Sequence, residues 1–392
     1  MTRVTIDCGN LHSGGGVQVA SSFLDEIAQL ITDGDHVTVS LSRQLEVLVS
    51  TEVLRGLGQD AIETLHPIRR DIHGLRGILR PYTRVSDVTF VPFGPDYVLR
   101  RTRRRVVGFA DGTTVLPGRE NARSAMSVTR RTRARIRARI AARLFRSADV
   151  LVVESHRVRQ AVAEELGYPA DDVKVVPNAL NGVFGDRTRW SPLPSPAALT
   201  PPGATRLCYV CQLHPHKNLA FLGKLGQLLL EEHGIAVQFV LTLSASEWRH
   251  LPDLTRRFSA TVGRLGITQV PGLYEECDGA IFPSLLEGFS VAPLEALAMQ
   301  RILFASDRPF VREVCGDAPI YIDPLDPCAS ARTVAETLKN PVLQVDHVRA
   351  GLRVIGQLPT ARDRARAYLD IVHGEGNQME YESPQTSLRS KG

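Results

Sequence analysis

The feature that most constrains the fold is an alternation of β-rich and helix-like segments that stops at a proline-rich stretch and then starts again. In the first half, runs of β-branched residues alternate with amphipathic segments, as where Arg3–Asp7 precedes Val17–Ile31. This order is typical of a parallel sheet covered by helices. Residues 191–203 are dense in proline, which helices and central strands exclude. The sequence therefore predicts two doubly wound α/β domains joined by a linker.

The predicted domain boundaries follow from this pattern and from the length. A chain of 392 residues is too long for one ordinary core, so two domains are expected. The polar end of the chain, rich in Gly, Ser and Gln, predicts disorder. The predicted segments are 1–190 for a first Rossmann-like domain, 191–204 for the linker, 205–355 for a second Rossmann-like domain, 356–375 for a closing helix and 376–392 for a disordered tail.

Composition and cysteine usage indicate a globular protein of a reducing compartment. Apolar residues make up 43% and charged residues 23%, which is ordinary for such proteins. We find no signal-peptide pattern at the start and no apolar run long enough to span a membrane, so we expect a cytoplasmic protein. Cys208 and Cys211 form a C-x-x-C pair, but a zinc site needs two more ligands. Their strand-like surroundings favour core thiols.

Positive charge is concentrated in one region although the net charge is only +5. Residues 100–146 hold fifteen arginines and two acids. Ile136, Ile140 and Leu144 have the spacing of a helix face, so we expect a helix that rests this stripe on the domain and exposes arginine elsewhere. An anionic membrane surface, nucleic acid or no specific partner would each explain the charge. The arginines lack interleaved aromatic residues, which disfavours nucleic acid.

The most informative segment lies between Ser284 and Glu295. A predicted strand ends at Pro283, and a helix is predicted to begin near Pro293. The loop between them would direct backbone N–H groups beyond the carboxyl end of the strand, where doubly wound sheets bind anionic ligands such as a diphosphate. Glu287 and Glu295 flank this loop and would accept hydrogen bonds from sugar and ribose hydroxyls. Alternatively, both acids merely favour a helix N-terminus.

Two further strand-to-helix loops are candidates for ligand binding. In the first, Lys217 precedes a helix that Asn218 is placed to cap. A lysine here would neutralise a phosphate leaving group, although an isolated lysine is more often a solvated surface residue. In the second, Gly14, Gly15 and Gly16 follow the first strand, where they would allow close backbone approach to a ligand or simply form a tight turn. They match neither a P-loop nor a dinucleotide fingerprint.

Taken together, these motifs resemble the GT-B glycosyltransferases of family 4 over most of the chain. The most specific element is E-G-F-S-x-x-P-L-E, from Glu287 to Glu295, which is followed by Phe304–Asp307, Arg312–Ala318 and Tyr321–Pro324. Lys217-Asn218 is similar to the family's donor-phosphate loop. The segments Val175–Asn178 and Gly14–Gly16 are similar to the end of its first domain and to its glycine loop. The resemblance implies two Rossmann-like domains facing a central cleft.

The resemblance also implies roles for individual residues. Glu287, Gly288, Phe289 and Ser290 would hold the donor sugar. The diphosphate would meet Lys217, Val291 and Ala292, and the ribose would meet Glu295. The implied catalytic residues are Lys217, Glu287 and Asp111. The family works without a bound metal or cofactor and usually retains anomeric configuration.

Two positions depart from the family pattern. Gln212 lies in the donor-phosphate loop where an arginine is frequent. Ala110, before Asp111, occupies the place of a histidine that often faces the reacting sugar. Removing one preorganised charge contact of this kind costs about 3 kcal/mol of transition-state stabilisation.

The sequence thus favours a hexosyltransferase that moves a sugar from a nucleotide-diphosphate sugar to a glycan acceptor. We expect a lipid-linked acceptor in bacterial envelope or exopolysaccharide biosynthesis, and peripheral contact of Arg100–Arg146 with the inner face of the cytoplasmic membrane. We expect no nucleic-acid partner. Two other functions stay open, namely a catalytically weak relative that binds glycans or partners and a nucleotide-sugar epimerase.

Overall fold

The structure is a computed structural model that describes most of the second half of the chain and parts of the first. The described residues are 2–12, 15–31, 36–49, 53, 57, 62–65, 86–96, 102–110, 115–116 and 128–375. Between residues 128 and 137, only residues 132 and 136 have described side chains. The tail predicted for 376–392 lies outside the described residues.

The described chain divides into two compact units. The first contains the residues up to Asn181 and resumes at Pro359, whereas the second runs from Gly182 to Leu358. Each unit has its own parallel sheet, which confirms the predicted α/β class with two doubly wound domains.

Among the described residues, the sheet of the first unit has seven parallel strands in the order β3-β2-β1-β4-β5-β6-β7. The sequences of its inner strands are mostly apolar, because helices cover both faces of such a sheet. The strands are β1 (Arg3–Cys8), β2 (His36–Ser42), β3 (Ile62–Leu65), β4 (Ser86–Val91), β5 (Thr102–Phe109), β6 (Val150–Val153) and β7 (Val173–Val175). The helices are α1 (Gly15–Ile27), α2 (Arg43–Leu48), α3 (Val128–Phe145), α4 (His156–Leu166) and, from the end of the chain, α13 (Ala361–His373).

The C-terminal helix α13 is part of the core of the first unit. The ring of Tyr368 lies 5.4 Å from that of Phe23 on α1 and 5.2 Å from that of Phe90 on β4, and the Phe23 and Phe90 rings are 5.5 Å apart. Each such aromatic pair contributes about 1 kcal/mol beyond its buried area. The closing helix predicted within 356–375 therefore completes the first unit.

The sheet of the second unit has six parallel strands in the order β10-β9-β8-β11-β12-β13. Its strands are β8 (Thr205–Tyr209), β9 (Val237–Leu241), β10 (Ser259–Thr261), β11 (Gly279–Phe282), β12 (Ile302–Ser306) and β13 (Ile320–Ile322). Its helices are α5 (Leu219–His233), α6 (Ala245–Arg249), α7 (Asp253–Arg257), α8 (Val270–Glu276), α9 (Ala292–Ala298), α10 (Pro309–Cys315), α11 (Pro327–Leu338) and α12 (Pro341–Ile355). Cys208 and Cys211 are buried free thiols, as predicted.

The proline-rich segment packs on the second unit. The amide of Ser191 donates to the Thr268 carbonyl at 2.9 Å, and the Gln269 side chain donates to the Pro192 carbonyl at 2.7 Å. The boundary between the units lies between residues 181 and 182, so residues 182–190, predicted for the first domain, belong to the second unit together with the predicted linker.

The predicted burial of one face of the arginine-rich helix is wrong. On α3, Ile136 is 52% exposed and Ile140 is 56% exposed. The spacing of the isoleucines correctly indicates a helix with an apolar stripe, but in the described structure no partner covers these two side chains. Phe145, at the end of α3, is the residue that anchors the helix, since it is buried against Phe109 with ring centroids 4.6 Å apart.

A test of helix packing in the second unit uses Gly223 on α5. Alanine here would gain about 1 kcal/mol of helix propensity, but its Cβ would lie 2.6 Å from the backbone nitrogen of Thr255. Backbone cannot move aside as a side chain does, so overpacking of about 1–3 kcal/mol should dominate. We expect Gly223→Ala to lower the melting temperature by several degrees.

The matched control is Gly351→Ala on α12. A Cβ at this position meets only the flexible side chain of Leu297, with its Cδ2 atom at 2.9 Å. We expect a melting temperature near that of the wild type. Equal losses in the two variants would contradict the packing argument.

Candidate functional site

The candidate site lies at the point in the second sheet where the strand order reverses. The neighbouring strands β8 and β11 pair in parallel, so the loops that leave their carboxyl ends lie side by side. This is where doubly wound sheets bind ligands. The amide of Leu285 donates to the His216 carbonyl at 2.8 Å, and the Ser284 hydroxyl oxygen lies 3.3 Å from the same carbonyl. These contacts join the two loops into one surface.

An ion pair connects the same two loops through their side chains. The Lys217 Nζ atom lies 2.7 Å from Glu287 Oε1, and the two side chains are only 14% and 12% exposed. The Ser284 hydroxyl donates to the same carboxylate oxygen at 2.6 Å. Such charge-assisted bonds are the strong ones, particularly where water is largely excluded. The sequence-predicted residues Lys217 and Glu287 are therefore brought into direct contact.

The backbone conformation of the loop orients Lys217. Residues Pro215–Lys217 form a short 3-10 turn, and Asn218 then adopts the left-handed conformation with φ of 56°. Asparagine tolerates this conformation better than most residues. Its side chain donates to the Pro324 carbonyl at 2.8 Å and makes no capping bond to α5, so the predicted capping role of Asn218 is wrong. The side chain instead fixes the end of the loop that carries the lysine.

Glu295 is buried in the first turn of α9 beside Tyr274 of α8. It is 8% exposed, and the Tyr274 hydroxyl lies 3.2 Å from its Oε2 atom and 3.1 Å from the Ala292 carbonyl. Burial raises the pKa of the Glu295 carboxyl to about 7, and the hydrogen bond with Tyr274 and the charge of Lys217 oppose this rise. One tyrosine proton serves only one of the two oxygens. The Tyr274 hydroxyl therefore donates either to the Glu295 carboxylate or to the Ala292 carbonyl, and it holds both groups close together.

The loop between the two acids enters α9 as predicted. The helix begins at Ala292, and the Val291 carbonyl accepts the first helical bond from the Glu295 amide at 2.9 Å. Pro293 lies in the first turn, where helical N–H groups lack intrahelical acceptors. The five predicted donor-binding residues of this loop are neither buried nor fully exposed: Gly288, Phe289, Ser290, Val291 and Ala292.

Gln212 lies in the other loop, directly after Cys211. The buried Thr242 holds this point, because its hydroxyl accepts from the Cys211 amide at 2.9 Å and donates to the Cys211 carbonyl at 3.0 Å. The Gln212 carbonyl accepts from the His214 amide at 2.9 Å. Gln212 is thus held near the ion pair by its backbone.

Residues that the sequence analysis missed complete the site. His214 and His216 stack with ring centroids 5.4 Å apart, and His216 Nε2 is 3.9 Å from Glu287 Oε1. Burial and the charge of Lys217 lower the pKa of His214. Ser284 and Tyr274 were also missed. The position of Ser284, the second residue beyond β11, was a usable signal, whereas Tyr274 meets Glu295 only through the fold.

The sequence-predicted residues of the first unit are only partly described. Gly15 and Gly16 are the first residues of α1, at the carboxyl end of β1. Gly14 and Asp111 lie outside the described residues. Ala110 follows β5 and is exposed. The structure therefore shows the glycine loop entering a helix but leaves Asp111 a prediction.

Some arginines of the 100–146 region have structural partners. The Arg104 guanidinium donates to the carbonyls of Ile371 and Val372 at 2.8 and 3.2 Å, near the end of α13. Arg146 donates to the Leu166 carbonyl at 2.7 Å, at the end of α4. Cations at helix C-termini satisfy terminal carbonyls and complement the helix dipole. Among the described residues, no helix is long and apolar enough to cross a membrane.

Comparison with known proteins identifies the family. The family model described as "Glycosyl transferases group 1" matches residues 204–340, which contain both loops of the candidate site. The chain is 24% identical over 329 residues to the Escherichia coli O-antigen chain mannosyltransferase B, covering 82% of this chain and 80% of that protein. Residues 204–340 belong to the group 1 glycosyltransferases, and the chain as a whole is homologous to an O-antigen mannosyltransferase.

Solved structures show that this glycosyltransferase has the GT-B fold. The Anabaena protein Alr3699/HepE, solved in complex with UDP-glucose, superposes with a TM-score of 0.66 at 13% identity and covers 95% of this chain and 100% of that one. Sucrose-phosphate synthase from Thermosynechococcus elongatus superposes with a TM-score of 0.63 at 13% identity, covering 96% and 99%. The enzyme is a nucleotide-sugar glycosyltransferase of the hexosyltransferase type.

The pKa of Glu295 makes the stability of the glycosyltransferase depend on pH. Between pH 4.5, the ordinary pKa of a glutamate, and about pH 7, the folded enzyme keeps a proton on Glu295 that the unfolded chain releases. This proton adds up to about 3 kcal/mol to the free energy of unfolding at pH 4.5 and below, and the contribution is lost as the pH rises through 7. Relative to Glu295→Gln, the wild type should therefore be most stable near pH 5 and lose this advantage by pH 8.

Melting temperatures of both proteins from pH 5 to pH 8 measure this effect. Glu336→Gln, which changes an exposed acid on α11, serves as the control and should follow the wild type at every pH. Parallel curves for the wild type and Glu295→Gln would show that the carboxyl titrates normally.

Proposed function

We propose that this enzyme transfers a sugar from a nucleotide-diphosphate sugar, bound by its second unit, to a lipid-linked glycan during bacterial envelope or exopolysaccharide synthesis. Transfer proceeds with retention of configuration and without a metal ion. The group 1 family and the O-antigen mannosyltransferases among its relatives support this proposal. The observation that carries it is the contact between Lys217 and Glu287 at the carboxyl edge of the second sheet.

The ion pair provides both groups that an activated sugar requires. Lys217 meets the diphosphate and neutralises the charge that develops as the glycosidic bond breaks, which is an effective form of transition-state stabilisation. Glu287 accepts hydrogen bonds from the sugar hydroxyls. These two groups contact each other, so each side chain is held in place by its partner.

The surrounding residues bind the remaining parts of the donor, which are the diphosphate and the ribose. The backbone of Gly288–Ala292 faces the diphosphate, and Gln212 borders it from the other loop. Glu295 accepts hydrogen bonds from the ribose hydroxyls, and its pKa of about 7 implies that donor binding favours the ionised form. Asp111 acts from the first unit, and Gly14–Gly16 allow close backbone approach there.

The relatives guide the choice of donors for testing. An O-antigen mannosyltransferase and a protein solved with UDP-glucose are among the relatives, so GDP-mannose and UDP-glucose are the first two probes. A saturating donor at one hundred times its Kd stabilises the fold by about 2.7 kcal/mol, which a thermal-shift screen detects readily.

The test of the donor site is Lys217→Gln, measured by calorimetry with whichever nucleotide sugar stabilises the wild type. Loss of a charge-assisted contact should weaken donor binding roughly tenfold to a hundredfold. The matched control is Lys224→Gln, which changes an exposed lysine of α5 in the same unit and should leave affinity unchanged. Unaltered donor affinity in Lys217→Gln would contradict the placement of the donor at Lys217.

We also propose that α3 attaches the enzyme to an anionic membrane surface. Arg139 and Arg143 are exposed on the same helix as the uncovered Ile136 and Ile140. The helix carries no acidic residue. Basic and apolar side chains together fit the headgroup region of an anionic bilayer, where each basic residue contributes about 1 kcal/mol. This is the described part of the region predicted from Arg100–Arg146.

Sedimentation with phosphatidylglycerol vesicles tests the attachment. We expect Arg139→Gln/Arg143→Gln to reduce the bound fraction severalfold, and Ile136→Ser/Ile140→Ser to do the same, since each buried isoleucine contributes about 2 kcal/mol. Val342→Ser, which changes a 71% exposed residue of α12, is the control and should bind as the wild type does. Full binding by both double variants would contradict the proposal.

A further inference from the structure

A buried polar cluster links three elements of the first unit at the carboxyl edge of its sheet. Arg364 comes from α13, Asn178 follows β7, and Glu154 directly follows β6. Arg364 and Asn178 are 1% and 4% exposed, whereas Glu154 keeps an intermediate exposure. The cluster therefore has a closed side, formed by the guanidinium and the amide, and an open side that ends in a carboxylate.

The hydrogen bonds of Arg364 explain how the closed side is held. Its guanidinium donates to Asn178 Oδ1 at 2.5 Å, to the Ser22 hydroxyl at 3.1 Å and to the Val19 carbonyl at 3.4 Å. All three acceptors are neutral, although a buried guanidinium is costly without a counter-charge. Burial lowers the pKa of Arg364, and Glu154 opposes this effect as a nearby negative charge.

Asn178 transmits the orientation of Arg364 to Glu154. Its Oδ1 atom accepts from Arg364 and from the Ala179 amide at 2.8 Å, so its NH₂ group points the other way. That group interacts with the Glu154 carboxyl and lowers its pKa. An asparagine whose oxygen is occupied by a guanidinium cannot flip without losing charge-assisted bonds. The buried Arg364 thus orients Asn178, and Asn178 in turn orients the Glu154 carboxylate.

Among the described residues, the neighbouring strand does not cover this carboxylate. Strands β5 and β6 pair with Phe109 opposite Val153, so Ala110 and Glu154 are the next residues on the two strands. Ala110 is small and exposed, and it cannot cover the acid. A carboxylate accepts about four hydrogen bonds, and Asn178 supplies one donor. The remaining lone pairs lie at the edge where doubly wound sheets bind ligands.

We infer that Glu154 binds the acceptor glycan, accepting a hydrogen bond from one of its hydroxyl groups, and that Asn178 and Arg364 are its positioning residues. This inference rests on the proposed transferase function. A hydroxyl group suits the position because it donates to a carboxylate, whereas a phosphate would be repelled by it. Glu154 therefore recognises the sugar end of the acceptor and not the phosphate of a lipid carrier.

The ionisation of Glu154 provides a readout that a purely structural role would not give. Burial raises its pKa to about 7, while Arg364 and the Asn178 hydrogen bond oppose the rise. Tyr368 of α13 and Glu26 of α1 are the other titratable groups that act on this cluster. Only the ionised carboxylate accepts a hydrogen bond with full strength, so the KM for the acceptor should fall as the pH rises from 6 to 8.

The experiment measures transfer from the donor identified by thermal shift to octyl α-mannoside and octyl β-glucoside. We expect Glu154→Gln to raise the acceptor KM about tenfold at pH 8 and to abolish its dependence on pH. The KM for the donor should stay at the wild-type value, since the donor site lies in the second unit. Glu164→Gln, an exposed acid of α4, is the matched control and should behave as the wild type.

A second variant separates binding from stability. Glu154→Gln/Arg364→Met replaces the buried charges together, which such sites tolerate better than losing one partner. If Glu154→Gln folds poorly, this double variant should still show the raised acceptor KM. If neither glycoside accepts the sugar, the affinity of the enzyme for each glycoside is measured by calorimetry instead, and Glu154→Gln should weaken it about tenfold.

The outcomes distinguish the inference from the function on which it rests. A wild-type enzyme that binds no nucleotide sugar would overturn the proposed function. An enzyme that binds the nucleotide sugar normally, with the same acceptor KM or glycoside affinity and the same pH profile in Glu154→Gln, would overturn only the role of Glu154.

Discussion

The second unit depends on a close contact between two loops that leave neighbouring parallel strands. Parallel strands end at one edge of a sheet, and at that edge β8 and β11 present Lys217 and Glu287 to each other at 2.7 Å. The bond from Leu285 to the His216 carbonyl holds the same loops together through the backbone. A lysine and a glutamate with little exposure to water are costly to separate, so the pair fixes both loops. The proposed donor site is preorganised for this reason.

In the first unit, the sheet and α1 hold a helix that comes from the far end of the chain. Helix α13 packs through Tyr368 against Phe23 and Phe90, and Arg364 reaches the carboxyl edge of the sheet from the same helix. Apolar contact supplies most of the stability, whereas the guanidinium specifies where the helix lies. The same group then orients Asn178 and, through it, Glu154. Structural and binding roles thus share one buried cation.

Local patterns in the sequence predicted the elements that carry the donor site. The strand predicted to end at Pro283 and the helix predicted to begin near Pro293 were located to within one residue, because strand propensity and helix-start signals act over a few residues. The packing of residues 191–204 was not predicted. Proline density shows that a segment avoids regular structure, but it does not show which unit the segment contacts.

Long-range partners were beyond the reach of these patterns. The spacing of Ile136 and Ile140 correctly indicated a helix, but only the fold shows that both side chains are uncovered. Tyr274 and Glu295 are far apart in sequence and meet through the packing of α8 against α9. Arg364 lies in an ordinary amphipathic helix, where nothing local distinguishes a buried arginine from an exposed one.

The most direct measurement is a crystal structure of the enzyme with its nucleotide sugar. Our account predicts that the diphosphate lies within hydrogen-bond distance of Lys217 Nζ and that the sugar hydroxyls contact the Glu287 carboxylate. A diphosphate bound elsewhere, with the ion pair of Lys217 and Glu287 intact and remote from the ligand, would contradict it.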